Sequence, residues 1–147
     1  MQTALLLFVA LAIHQAPAAN PAQVQIDLKL YEEDAKGRPD VLSRPSLHVL
    51  VGQPGVLQVG QEIAMPANNG KDVAVRFVGL RVEVLAKSVT NNKVTLDICV
   101  EKAGAAQTVR SEILDVFDLN RIVTVEFARV AGQPKLCAAF SVKRVDP

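Results

Sequence analysis

No tryptophan occurs in this 147-residue chain, aromatic residues make up 4% of it, and there are only two cysteines and two histidines. With so few rings, a core has to be built from aliphatic side chains, and hydrophobic residues do make up 50% of the sequence. Neither sign of charge dominates: 16 Lys and Arg against 15 Asp and Glu leave a net +1. That balance gives no broad basic face of the kind that binds nucleic acid. No apolar run reaches the roughly 20 residues that a membrane-spanning helix needs. Phosphate-binding glycine loops, HExxH and EF-hand patterns are also missing. These absences point to a non-catalytic chain with no cofactor, no metal and no small-molecule substrate.

The N-terminus, MQTALLLFVALAIHQAPAA, sets an apolar block from Ala4 to Ile13 ahead of small residues. This is the layout of a secretory signal peptide, with cleavage expected after Ala18. Residues 1–18 are therefore read as a leader and 19–147 as a single domain, since 147 − 18 = 129 residues suffice for one core. The chain is expected to be exported.

Beyond the leader the dominant period is two. Val24, Ile26, Leu28 and Leu30 alternate with Gln23, Gln25, Asp27 and Lys29, as in a half-buried strand. YEEDAKGRPD, residues 31–40, reads as a solvated loop. Leu47, Val49 and Val51 lead into Gly52-Gln53-Pro54-Gly55, after which Val56, Leu57 and Val59 resume, so residues 41–63 are expected to form a hairpin. Residues 64–72 carry turn chemistry. Val73, Val75 and Phe77 then hold odd positions while Leu80, Val82 and Val84 hold even ones, and a bulge at Gly79 is the expected cause of that switch. Asn91-Asn92 should turn a long hairpin across 73–100. Residues 103–121 fit either a short helix or an irregular extended passage. Val123, Val125 and Phe127, the Gly132-Gln133-Pro134 turn, and Leu136, Ala138, Phe140 and Val142 complete a last hairpin. The expected fold is all-β: antiparallel hairpins forming a small β-sandwich or curled sheet.

Few side chains offer chemistry. Cys99 and Cys137 each fall on the parity opposite the apolar set of their strand. In an oxidising compartment adjacent strands would let them bridge, closing a loop of roughly 37 residues and adding about 3–4 kcal/mol; on separated strands they would stay free thiols. They are too far apart to form a zinc site with His48. His48 sits between Leu47 and Val49 and reads as a strand histidine, not a base. Glu32, Glu33 and Asp34 belong to a charged loop.

Four segments, in order, resemble the secretin family, the multimeric outer-membrane channels of bacterial secretion and pilus systems. Val41-Leu42-Ser43-Arg44-Pro45, the Gly52-Gln53-Pro54 turn and Gln58-Val59-Gly60-Gln61-Glu62-Ile63 are similar to the opening Leu-Ser-x-Pro, turn and Val-Gly-x-x-Ile elements of its homologous domain. Val78-Gly79-Leu80-Arg81-Val82-Glu83-Val84 and Lys93-Val94-Thr95-Leu96-Asp97-Ile98 are similar to two of its strands, and Thr124-Val125 with Ala131-Gly132-Gln133 to its closing strand and turn. Departures are Pro66, displaced from the family position, and Ala138-Ala139 where a glycine pair is usual. Ala64 to Asp72 is too short and polar to supply two membrane-spanning strands.

The resemblance implies a secretin-like module at the periplasmic side of the outer membrane or associated with that membrane. It would act in assembly of a type II-like secretion or pilus system, with protein partners that include secretion components or further copies of itself. Its motif residues would be structural: Ser43 and Pro45 at a strand boundary, Gly52, Pro54 and Gly132 at turns, Gly60 and Gly79 where backbones crowd. The alternative from the patterning alone is a secreted β-sandwich that binds a ligand or protein through loops 31–40 and 64–72.

Overall fold

The computed structural model describes residues 21–66, 73–104, 107–127 and 131–145. The leader expected at 1–18, and residues 67–72 of the second candidate binding loop, lie outside them.

Nine strands and no helix make up the described chain: β1 (Gln23–Glu33), β2 (Pro39–Ser43), β3 (Ser46–Leu50), β4 (Pro54–Pro66), β5 (Val73–Thr90), β6 (Lys93–Ala103), β7 (Thr108–Asp118), β8 (Ile122–Glu126) and β9 (Lys135–Val145). They form two antiparallel sheets. The first has the order β2-β1-β9-β8, with β3 also on β1, and the second has the order β4-β5-β6-β7. β2 and β3 share one side of β1, β2 against residues 30–33 and β3 against 23–27. Between them Pro45, which has no amide hydrogen to donate, still offers its carbonyl to the Leu28 amide at 2.9 Å.

Period-two patterning puts aliphatic rows from both sheets face to face. Val24, Ile26, Leu28 and Leu30 of β1 and Ala138, Phe140 and Val142 of β9 meet Val82, Val84 and Ala86 of β5 and Val94, Leu96, Ile98 and Val100 of β6. The rings of Phe117 and Phe140 stack edge to face across the sheets, with centroids 5.0 Å apart. The described residues contain no buried polar or charged residue. Inter-sheet cohesion is therefore almost wholly apolar, supplemented at one rim by an ion pair from Lys102 of β6 to Glu32 of β1.

Three local expectations are corrected. Residues 41–63 are not a hairpin: β3 pairs with β1, β4 pairs with β5, and the tight turn between them carries the chain from one sheet to the other. Gly52 takes φ 88° there, and its amide donates to the Ala86 carbonyl at 2.8 Å, anchoring the crossover on β5. Second, β4 and β5 run in unbroken register past Gly60↔Gly79, and the irregularity in β5 lies at Ala86–Ser88 on its β6 side. The parity switch has another cause: Gly79↔Ala103 ends the β5–β6 ladder, and beyond it β4 and β5 continue as a two-stranded ribbon whose apolar residues no longer face the sandwich core. Third, residues 108–118 of the ambiguous passage are neither helical nor irregular. They form strand β7, paired residue by residue with β6.

Candidate functional site

Reactive side chains stay scattered. Among the described residues no group of three or more His, Cys, Asp or Glu is placed to hold a metal ion. His48 is exposed on β3, opposite Gln25 of β1. Of the loop expected at residues 31–40, Tyr31, Glu32 and Glu33 instead extend β1 and Pro39 and Asp40 open β2. The turn between them is ordered by Asp34, whose carboxylate accepts from the Lys36 and Arg38 amides at 2.8 and 2.9 Å and pairs with the Arg38 guanidinium. Those bonds hold the Asp34 carboxyl below its usual range.

The structure separates the two cysteines. Cys99 lies on β6 of the second sheet and Cys137 on β9 of the first, each on the side of its sheet turned away from the core. They are free thiols. Sequence parity correctly gave the outward side of each strand but could not show that the strands belong to different layers, so the bridge is ruled out by the sandwich itself. Burial pushes both thiols up, opposed at Cys99 by the Arg110 guanidinium and at Cys137 by Lys135.

The motif residues cluster at strand junctions. Ser43 ends β2, Pro45 bridges to β3, Gly52 makes the crossover turn and Pro54 opens β4 opposite Leu85. Gly132 adopts φ 78° in the turn before β9. Gly60 and Gly79 sit face to face at the point where the ribbon leaves the sandwich, and the Phe77 ring covers the pair. Beside that pair an apolar cleft of about 300 Å³ opens, lined by Leu42, Val59, Val78, Leu80 and Ala103 among others. Val73 and Val75 on the ribbon are 69% and 65% exposed.

Association through exposed strand edges follows from the secretin resemblance, but which strands form the long margins of the second sheet could not be read from the sequence. β4 has 13 residues and β7 has 11, and each ends the strand order with a partner on one side only among the described residues. Neither ladder is interrupted by a bulge. Such margins carry backbone donors and acceptors that a further strand can complete. Val56 and Val59 on β4 and Leu114 and Val116 on β7 are exposed. At β7 the Val116 amide donates to the Asp115 carboxylate at 2.7 Å, a local cap on an edge group. Across the outer face of this sheet runs a charge-alternating row, Gln58, Arg81, Glu101 and Arg110, one residue from each strand. The sequence marked β4 as a strand through Val56, Leu57 and Val59 but gave no clear alternation for β7, and in neither case could it show the edge position, since a strand's neighbours are a tertiary property.

No curated protein sequence matches the chain. Among solved structures, the Salmonella SPI-1 type III secretion injectisome secretin InvG, residues 176 to the end, in the open gate state, is similar with a TM-score of 0.37 and 11% identity; the match covers 86% of this chain and 59% of that one. The chain thus spans under two thirds of that relative. Residues 33–131 match the family model for Secretin, described as bacterial type II and III secretion system protein. That match covers more than half of the sequence, and the chain belongs to the secretin family.

Proposed function

We propose that this protein is a non-catalytic, exported module of a bacterial secretion system, working at the periplasmic side of the outer membrane or on that membrane, and that it associates laterally with copies of itself. The observation that carries the reading is the pair of long, bulge-free margins, β4 and β7, at the two ends of one four-stranded sheet in a secretin-family chain. Alternating strand directions leave β7 antiparallel to an incoming β4, so the two margins are mutually compatible without rearrangement. Two different patches meeting head to tail generate rings or filaments. The apolar leader-like segment from Ala4 to Ile13 supports export.

Expression in a bacterial host with an envelope, followed by fractionation and sizing by light scattering in mild detergent, tests the reading. Envelope-associated multimers are expected. A strictly monomeric protein confined to the cytoplasmic fraction would overturn it.

A further inference from the structure

Resting on the self-association read above, we propose that β4 of a neighbouring copy joins β7 with a stagger of four residues, so that Arg110 lies opposite the neighbour's Glu62. Continuing the row Gln58, Arg81, Glu101, Arg110 straight across would instead place Arg110 opposite the neighbour's Gln58, and 62 − 58 = 4 is the difference.

Three independent features select this register. The first is length. Without a stagger only Thr108–Leu114 can meet Pro54–Gly60, leaving the rest of both margins bare. With it, all 11 residues of β7 run against Ala64 to Pro54. The second is charge. Arg81, Glu101 and Arg110 already alternate in sign across three strands on the outer face, and Glu62 lies on that same face of β4, sharing the parity of Gln58. Opposite charges directly across an antiparallel pair stabilise it, and like charges oppose it.

The third feature is apolar matching. Val116 comes opposite Val56 on the outer face, and both are exposed in the single chain. On the opposite face Ile113 comes opposite Val59 and Val109 opposite Ile63, adding two aliphatic pairs. Asp115 opposite Leu57 is the mismatched pair. A stagger of four residues for every four strands is also one residue per strand, the same slope that gives an eight-stranded barrel of shear eight its tilt of about 36°.

Cysteine cross-linking reads the register directly. In a full-length chain carrying Cys99→Ser and Cys137→Ser, Val116→Cys with Val56→Cys should give a ladder of disulfide-linked multimers under mild oxidation, while Glu112→Cys with Val56→Cys, matched to the unstaggered register, should give little. Arg110→Glu should weaken multimers about fivefold, and adding Glu62→Arg should restore them. Multimers that cross-link only through the Glu112 and Val56 positions, or a charge exchange that restores nothing, would overturn the register and leave self-association standing. If the parent chain forms no multimers at all, the self-association reading falls, and the register with it.

Discussion

Gly60 and Gly79 face one another across the β4–β5 ladder, and neither has room for a side chain. A Cβ on Gly60 would lie 2.3 Å from the Val78 carbonyl oxygen, and one on Gly79 would lie 2.3 Å from that of Val59. The ring of Phe77 fills the space above both, 2.7 and 2.9 Å from those hypothetical atoms. Gly79 also holds φ at 154°, at the border of the region that L-residues avoid. Two strands pass closely enough here to leave the sandwich as a ribbon.

Alanine at either position should consequently destabilise the fold by about 1–3 kcal/mol, the range of an overpacked core site. At Gly79 backbone strain adds to the steric clash, so its effect should be the larger. Gly52→Ala serves as the reference: nothing lies within 4 Å of its Cβ position, although φ is 88°. Only the cost of a left-handed alanine remains there, about 1 kcal/mol. Urea midpoints at constant m-value test the ordering. Equal midpoints for Gly52→Ala and Gly60→Ala would show that close approach is not what the glycine pair serves.

Much of the sandwich was legible because burial imposes a local period. The even-numbered rows of β1, β6 and β9 are continuous in the sequence and land in the core without exception from Val24 to Leu30 and from Val94 to Val100. What stayed illegible depends on which strand lies beside which. Gly52-Gln53-Pro54 looks the same whether the flanking strands pair or part, and the pairing of β3 with β1 and of β4 with β5 shows that they part. Cys99 and Cys137 were assigned the correct sides of their strands, yet layer membership decides whether two outward thiols meet. β7 escaped recognition because Leu114 and Val116 are exposed and break the alternation that marks a half-buried strand.

The separation of the thiols has a chemical consequence. Under oxidising conditions the native monomer should retain two free thiols, seen as a mass increase of two labels after denaturation in the presence of an alkylating reagent. Before denaturation Cys99, half-buried on the open face of β6, should react ahead of Cys137, which is 2% exposed against Tyr31. Both should label slowly at neutral pH and faster as pH rises, because burial raises both thiols and only the thiolate reacts. Arg110 lowers the Cys99 thiol, so Arg110→Ala should slow its labelling further. An intramolecular bridge in the mass spectrum would contradict the two-layer assignment of β6 and β9.

Acid stability should report on Asp27, at the centre of a polar cluster on the outer face of the first sheet. Its carboxylate accepts from the Ser46 hydroxyl at 2.7 Å and the Gln25 amide at 2.9 Å, with the Lys143 ammonium 3.4 Å away. Ser46 and then Gln25 do most to lower its pKa below the usual 3.8, opposed by burial and helped by Lys143. A carboxyl depressed on folding contributes stability that is complete above its unfolded value and is lost as pH falls through the folded one. The affected window therefore lies below about pH 4. With the side chain 38% exposed, solvent screening keeps the contribution under about 1 kcal/mol. Asp27→Asn should flatten the acid limb of the stability curve while changing neutral-pH stability little. Ser46→Ala should move that limb toward higher pH, since it removes the strongest bond to the charged form. An unchanged acid midpoint in both variants, followed by circular dichroism from pH 7 to pH 2, would show that this cluster is not linked to folding.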